Sequence, residues 1–424
     1  MNREFSGWYE IDNDRFLLGL AIITAVAVVL RSYGIGAAPM TSDDVGAVAS
    51  AFDFVRDGRY GPTMWQHPKL RDILNFIFLN LLGGGAGGVK GASIVLGTLS
   101  VPLIGTVTSR LSGSHIMGLL AALFLAVDSV HIDFSRQAIQ EVHLPFFVLS
   151  ALLVMLIYRS NRKSHLLVIS GILFGLALAV KWSALFPLAA TAAFLLFECA
   201  KDDLPFHDKC SDIAFIVVSL VVLPAAVYFL TYVPWFVRGG HDLWDWLAAQ
   251  RLMARENVIH QGFQAYTNEL TSYPVLWFLK PVNWADFTFF AGHPVVFVAI
   301  SNPLVWMLTL PAFALLLYNG IKEKAPNLLF LSLLFWGAYL PLALARRHIW
   351  LNSSFAVTPF AFMGVAYFII TWLKRIPYRN LLCSLYLAAM LLTAVPLYFL
   401  AIGKGYGNPI LHPVVELFRP ANER

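Results

Sequence analysis

The chain has 424 residues, of which 58% are hydrophobic and only 13% are charged, whereas soluble domains carry about 25% charged residues. This composition excludes an ordinary soluble enzyme, and because apolar runs recur from end to end we predict a single membrane domain over residues 1–424. The net charge of +5 comes from basic residues scattered through short loops, which argues against nucleic acid as a partner and favours contact with anionic membrane lipids.

The first apolar run, 16–30, follows an acidic segment that contains Glu10, Asp12 and Asp14. Signal peptides begin with a basic segment, so we interpret this run as a retained first helix. A spanning helix needs about 20 mostly apolar residues, which predicts an all-α polytopic protein with about eleven such helices. They fall near 16–33, 89–108, 115–128, 142–158, 166–180, 183–199, 212–236, 297–318, 327–345, 353–372 and 380–401.

Lysine and arginine residues collect in four of the short loops between these helices. Alternation of the helices puts the four loops on one side, and cytoplasmic loops are enriched in these residues, so the N-terminus is predicted to be cytoplasmic. Two long segments, 34–88 and 237–296, then lie outside. We expect them to carry the active site and short amphipathic helices, one of which, over 70–82, would lie along the membrane surface.

Two adjacent carboxylates, Asp43 and Asp44, follow the first helix directly. One interpretation is a helix start, with Thr41 or Ser42 as N-cap and acids in the first turn. The other is a general base that deprotonates an acceptor hydroxyl, with the neighbouring acid orienting it. Further along, His67 opens a His-Pro-Lys-Leu run, and a lone His-Pro more often indicates structure than chemistry.

Charged residues also stand at the predicted outer ends of spanning helices. Arg136 and Glu141 lie before the fourth helix, and charges near bilayer depth tend to be paired or functional. Their spacing of five fits a pair along one helix less well than a spacing of three or four. They are therefore candidate site residues, with an ion pair as the structural alternative.

Three further cations are predicted to lie at the outer face. Lys181, followed by Trp182, either extends to lipid headgroups or holds a phosphate. Arg346 and Arg347 run against the usual bias of positive charge and favour an anionic partner such as a lipid phosphate. Cations beside carboxylates suit transfer from a lipid phosphate, because the leaving phosphate needs charge neutralisation. We expect no cofactor and no divalent metal, since these side chains supply the charge.

The order of these motifs resembles the dolichyl-phosphate-mannose–protein mannosyltransferases and their prokaryotic relatives, which share the GT-C membrane fold. The family's Asp-Glu pair is similar to Asp43-Asp44, its His-Pro-Pro-Leu element to 67–70, and its arginine and acid before the fourth helix to Arg136 and Glu141. Similar elements follow in order, namely Gly175-Leu176-Ala177 with Lys181-Trp182 and Leu185-Phe186; Thr267, Ser272, Pro274, Trp277, Pro281 and Val282; Asn302-Pro303 with Trp306; and Arg347 with Pro359. The resemblance covers about 16–372.

The resemblance implies an inverting transfer of a sugar, mannose in the family, from a polyprenyl-phosphate carrier to an acceptor hydroxyl of a protein, glycan or lipid, at the outer face of a prokaryotic cytoplasmic membrane. The implied catalytic pair is Asp43 and Asp44; the donor-phosphate contacts are Arg136, Lys181, Arg346 and Arg347; the acceptor or sugar contacts are His67, Glu141, Trp182, Tyr266 and Asn268. This chain departs from the family at Asp44 (Glu in the family), Asn268 (His) and Lys69 (Pro), and it lacks the sugar-binding domain of the eukaryotic enzymes.

Two other functions fit parts of the pattern. A transporter or flippase of a lipid-linked sugar would use the same cations but would need no base. Transporters often contain inverted repeats and helices broken near mid-membrane, whereas this sequence shows no repeat and its charges cluster at the outer edge. A non-catalytic sensor or assembly partner is the third alternative, and the presence of Asp43, Arg136 and Lys181 favours an enzyme over it.

Overall fold

A computed structural model shows a bundle of apolar helices with one β-hairpin, and it describes residues 11–60, 67–201, 203, 205–259, 273–290, 293–345, 349–374, 376–405 and 408–417. The helices are α1 (Asn13–Ser32), α2 (Ser42–Val55), α3 (Leu70–Leu82), α4 (Ala86–Ser112), α5 (His115–Val127), α6 (Ser129–Ser135), α7 (His143–Asn161), α8 (Ser164–Val180), α9 (Leu185–Lys201) and α10 (Phe206–Val217). After a π-helical turn at Val218–Val222 follow α11 (Leu223–Leu230), α12 (Val233–Val237), α13 (Leu243–Ile259), α14 (Pro303–Trp306), α15 (Thr309–Lys322), α16 (Pro326–Ala343), α17 (Thr358–Leu373), α18 (Arg379–Ala401) and α19 (His412–Leu417). Strands β1 (Asn283–Phe290) and β2 (His293–Ile300) lie between α13 and α14.

Within the described residues, eight helical segments are long and apolar enough to cross a bilayer. The pair α5–α6, bent by 59°, would make a ninth if it forms one span, and α8 and α17 are shorter apolar helices. The predicted class, a polytopic helical membrane protein, is confirmed. The number of eleven spans stays a prediction.

The predicted helix over 297–318 is wrong at its start. Residues 297–300 belong to β2, and the helical segment begins at Pro303 after Asn302, whose side chain accepts a hydrogen bond from the Leu304 N–H. The β-branched run of β2 favours a strand, but its hydrophobicity merges with that of the following helix. Likewise, the helix expected over 353–372 begins at Thr358, because the preceding Leu351–Ala356 segment forms a 3₁₀ helix.

Helix α4 lies at the centre of the bundle, where it packs against α1, α3, α5 and α7. Its contact with α5 depends on two glycines that let the backbones approach closely. A Cβ atom added at Gly105 would lie 3.2 Å from Ala122 Cβ, and one added at Gly118 would lie 2.5 Å from the Gly105 carbonyl oxygen. Small residues at such contacts are typical of helix pairs in membranes, where packing drives association.

The hairpin presents its two faces to different parts of the molecule. In the antiparallel register Ala285 faces Val298 and Thr288 faces Val295. On one face, Val296 and Val298 pack against Leu400, Leu411 and Val415 near the C-terminal helices. On the other face, the Thr288 hydroxyl donates a 3.2 Å hydrogen bond to the Met40 carbonyl. The hairpin therefore lies between the C-terminal helices and the segment that leads into α2.

The two segments predicted to lie outside the membrane are in direct backbone contact. Gly58 has a positive φ of 67°, and a Cβ atom added there would lie 2.1 Å from the Gly239 nitrogen. Beside this contact, Phe54, Tyr232 and Trp235 form a buried aromatic cluster. No residue larger than glycine fits at this crossing, so the turns after α2 and α12 are held together.

Candidate active site

Helix α2 begins with a capping box. Thr41 Oγ1 accepts a hydrogen bond from the Asp44 N–H at 3.2 Å, and Asp44 Oδ2 accepts one from the Thr41 N–H at 2.9 Å. Asp44 Oδ2 also lies 3.0 Å from Lys90 Nζ, and its Oδ1 accepts a 2.7 Å bond from the Ala138 N–H. Asp44 is fully buried. Both of its oxygens are thus engaged, and they attach the start of α2 to α4 and to the segment after α6.

Asp43, one residue earlier, has a different environment. It is half-buried, and no hydrogen bond to its carboxylate occurs within the described part of the chain. Burial raises the pKa of Asp43, and the negative charge of Glu141 raises it further, while the Arg71 guanidinium opposes the shift. A carboxylate with a raised proton affinity and a free oxygen has the properties of a general base.

Glu141 lies in a 3₁₀ turn, Gln140–Val142, just before α7, and is 1% exposed. Its Oε1 atom is 3.0 Å from Lys181 Nζ, and it accepts hydrogen bonds from Asn352 Nδ2 at 3.1 Å and from Gln140 Nε2 at 3.0 Å. These contacts bring together the start of α7, the end of α8 and the turn before α17. A buried carboxylate needs such partners, because an unpaired charge in this position is costly.

A second charged cluster at the start of α3 joins this one. Asp72, which is fully buried, accepts bonds from Arg71 Nε at 2.8 Å and from Ser50 Oγ at 2.8 Å, and it lies 3.1 Å from Lys69 Nζ. Arg71 also donates to Gln140 Oε1 at 3.0 Å. Since Gln140 donates to Glu141, an unbroken chain of hydrogen bonds runs from Asp72 to Lys181.

His67 and Trp182 border these clusters. Burial and the positive charges of Lys181, Arg71 and Lys69 hold the pKa of His67 well below its usual value, so the imidazole is neutral. Trp182 Nε1 donates a 3.1 Å hydrogen bond to the Tyr228 hydroxyl on α11. The structure therefore brings Asp43, Glu141, Lys181 and His67 into one region and attaches the Lys181–Trp182 turn to α11.

Arg136 has other partners. Its NH1 atom donates to the Arg31 and Tyr33 carbonyls at 2.9 and 2.8 Å, at the end of α1. It also lines a small cavity with Lys90 and Gln137. Arg136 and Glu141 form no ion pair with each other, so the alternative of an Arg–Glu pair along one helix is wrong.

Four predicted site residues, Arg346, Arg347, Tyr266 and Asn268, lie outside the described residues. The sequence reasoning missed Arg71 and Lys90 as members of the charged clusters. Lys90 could have been found from the sequence, because it lies inside the apolar α4 and a charge embedded in a membrane requires a partner. No group of three or more His, Cys, Asp or Glu side chains suited to a metal ion occurs among the residues that the structure describes.

Comparison with known proteins places this arrangement in context. Residues 86–238 match the family model described as dolichyl-phosphate-mannose–protein mannosyltransferase. The polyprenol-phosphate-mannose–protein mannosyltransferase of Mycobacterium tuberculosis is 22% identical, over 84% of this chain and 81% of that protein. The protein of the same name from Corynebacterium glutamicum is also 22% identical, over 82% and 81% of the two chains.

Two solved structures extend the likeness to the fold. The S. cerevisiae protein O-mannosyltransferase Pmt1–Pmt2 complex bound to the sugar donor aligns with a TM-score of 0.73 at 12% identity, over 92% of this chain and 90% of that chain. ArnT from Cupriavidus metallidurans bound to undecaprenyl phosphate aligns with a TM-score of 0.54 at 14% identity, over 95% and 73%. This chain is therefore a multi-pass membrane relative of the dolichyl-phosphate-mannose–protein mannosyltransferase family and shares its GT-C fold.

Proposed function

We propose that this chain is an inverting glycosyltransferase that moves mannose from a polyprenyl-phosphate carrier to a hydroxyl of an acceptor protein, at the outer face of a prokaryotic cytoplasmic membrane. One observation carries the proposal: Asp43 is half-buried, and its pKa is raised by burial and by the charge of Glu141, which itself pairs with Lys181. The curated relatives, whose names specify a polyprenol-phosphate-mannose donor and a protein acceptor, supply the substrate class.

In this mechanism Asp43 accepts the proton of the acceptor hydroxyl while the hydroxyl oxygen forms a bond to the anomeric carbon. The bond between that carbon and the phosphate oxygen breaks on the opposite face, and the electron pair leaves with the polyprenyl phosphate. A single displacement inverts the anomeric configuration. Asp44 positions Asp43 by fixing the first turn of α2, because both Asp44 oxygens are already engaged.

The leaving phosphate is stabilised by positive charge. Lys181 supplies it, since its side chain is 16% exposed whereas its partner Glu141 is buried. We assign Arg346 and Arg347 to the same phosphate. Arg136 fixes the end of α1 and acts on the site indirectly. His67, Glu141, Trp182, Tyr266 and Asn268 remain the proposed sugar or acceptor contacts. With these cations present the reaction requires no divalent metal, and transfer should continue in excess chelator.

The test is transfer from labelled polyprenyl-phosphate mannose to a Ser/Thr-containing peptide by the purified protein in lipid. Asp43→Asn should lower the rate by about 100-fold or more, the usual contribution of a general base. Asp53→Asn is a matched control, because Asp53 also lies on α2 but its carboxylate already pairs with the exposed Arg59. Translocation of the carrier without sugar transfer would contradict the proposal and favour the flippase. Full transfer activity in Asp43→Asn would contradict the assignment of Asp43 as the base.

A further inference from the structure

Helix α13 has an inner face that contacts the neighbourhood of the candidate site. Trp246, Gln250 and Met253 share this face by their helical spacing. The Trp246 ring lies 5.9 Å from the Tyr232 ring, and Met253 is fully buried. Gln250 Oε1 accepts a 2.6 Å hydrogen bond from the Tyr228 hydroxyl. The inner face of α13 is therefore fixed to α11 and to the residues that follow it.

The opposite face of α13 carries an exposed aromatic residue and two cations. Trp244, Arg251 and Arg255 are separated by seven and four residues, which places them on one side of the helix. Trp244 is 74% exposed, and both arginines are exposed. Neither arginine forms an ion pair within the described part of the chain. Asp245 is about 100° away from this side around the helix axis.

The position of α13 along the chain places this face near the bilayer surface. The candidate span Phe206–Leu230 ends shortly before it. In the intervening α12, Val233 and Val237 are exposed. Tryptophan and arginine are typical of the headgroup region, where the indole ring lies between apolar and polar layers and arginine binds phosphate through two parallel hydrogen bonds.

We propose that the outer face of α13 docks on anionic phospholipid headgroups and that this docking holds the Lys181–Trp182 turn in its binding position. The connection consists of two hydrogen bonds on the Tyr228 hydroxyl, one donated by Trp182 Nε1 and one donated to Gln250. Lys181 directly precedes Trp182, so a shift of α13 changes the geometry of the cation that we assign to the carrier phosphate.

Charge complementarity favours a lipid surface over an acceptor polypeptide as the occupant. Two arginines that pair with no carboxylate among the described residues, flanked by an exposed tryptophan, match the phosphates and the interfacial layer of an anionic membrane. Each basic residue near such a surface strengthens binding about fivefold, so two arginines should give an effect of about thirtyfold. The docking itself goes beyond the proposed function, whereas its effect on Lys181 rests on that function.

The docking is tested with a fluorophore on the outer face. Ala248, which is exposed on α13, is replaced by cysteine and labelled in the full chain carrying Cys210→Ser. The protein is placed in nanodiscs of phosphatidylcholine, with or without phosphatidylglycerol, that contain a quencher-labelled lipid. We expect stronger quenching with phosphatidylglycerol, loss of that increase in Arg251→Gln/Arg255→Gln, and its retention when both arginines become lysine.

A matched control removes two exposed arginines from the other outer segment, Arg56→Gln/Arg59→Gln. These arginines already pair with Asp57 and Asp53, so the lipid response at position 248 should persist. Equal quenching in neutral and anionic discs would overturn the proposal. So would a fluorescence signal that changes when an acidic peptide is added but does not change with anionic lipid.

The effect on Lys181 is measured by transfer in the same discs. Phosphatidylglycerol should lower the KM for the carrier by as much as about thirtyfold in the original protein and leave it unchanged in Arg251→Gln/Arg255→Gln, with kcat similar in both. Docking without any change in KM would show that the link through Tyr228 is wrong. Absence of transfer in every sample contradicts the proposed function alone, because the fluorescence measurement needs no turnover.

Discussion

Asp43 and Asp44 have different roles in the structure, whereas the sequence allowed either a structural or a chemical role for both. Asp44 completes the capping box of α2 and pairs with Lys90, whereas no hydrogen bond to the Asp43 carboxylate occurs among the described residues. Asp43 instead feels the negative charge of Glu141. Composition and spacing identified the pair but could not separate its members. The separation depends on Lys90 and Ala138, which lie far along the chain and reach α2 only in the folded bundle.

The raised pKa of Asp43 predicts a gain in stability when its charge is removed. When the pKa of a carboxyl is higher in the folded than in the unfolded state, the protein becomes less stable as the pH rises through the folded pKa. Asp43→Asn should therefore raise the melting temperature by about 1–2 °C at pH 8 and by less at pH 5. Thermal unfolding in detergent at both pH values measures this difference, and an equal loss of stability at both would contradict it.

Because Asp44 and Lys90 form a buried ion pair, we expect the effects of substituting them on the unfolding free energy to be strongly coupled. Asp44→Asn leaves the Lys90 ammonium buried without its carboxylate, which should cost about 3–5 kcal/mol of unfolding free energy. Lys90→Met added to it removes the orphaned charge and should restore part of that loss. Denaturant unfolding of the two single variants and the double variant gives the coupling. Additive effects would show that the pair contributes little.

Among the helices, the bounds of α3 were predicted correctly, but the contacts of its charged residues were not. The amphipathic stretch expected over 70–82 is a helix with those bounds. The charges of its first turn were expected in a surface helix, yet Arg71 and Asp72 are buried against Gln140 and Ser50. Amphipathic spacing reveals that a helix has two faces; it does not reveal that the polar face meets a buried polar cluster rather than water.

The hairpin was not predicted, and its contact with Met40 yields a prediction about the site. Thr288→Val keeps the shape of the side chain but removes the hydrogen bond to the Met40 carbonyl, three residues before Asp43. The free energy of unfolding should fall by about 1 kcal/mol. The transfer rate per molecule of folded protein should also fall several-fold. Thr288→Ser retains the hydroxyl and should keep most of the activity; equal rates for the valine and serine variants would contradict this role.

At the scale of the whole molecule, hydrophobicity and the order of motifs predicted the membrane class and the family likeness. The helix ends and the hairpin were harder to predict, because an apolar strand next to an apolar helix has the same hydrophobicity in the sequence. The grouping of Glu141 with Lys181 and Asn352 required the bundle itself, since these residues come from three separate turns.

The predicted orientation can be tested with a native cysteine. Cys210 is exposed at the start of α10, whereas Cys199 is buried. If the loop before α10 is cytoplasmic, a membrane-impermeant thiol reagent added to intact cells should label Cys210 only after permeabilisation. Ala248→Cys on α13 should be labelled from outside without permeabilisation. Labelling of Cys210 in intact cells would reverse the assigned orientation.

The support of α2 by the hairpin has a consequence for the order of events during biosynthesis. Asp43 leaves the ribosome long before Leu411 and Val415, against which the hairpin that contacts the segment before Asp43 packs. A nascent chain that has inserted its early helices still lacks that support. The segment before Asp43 therefore gains its support from the hairpin only after the chain has been translated and inserted as far as Val415.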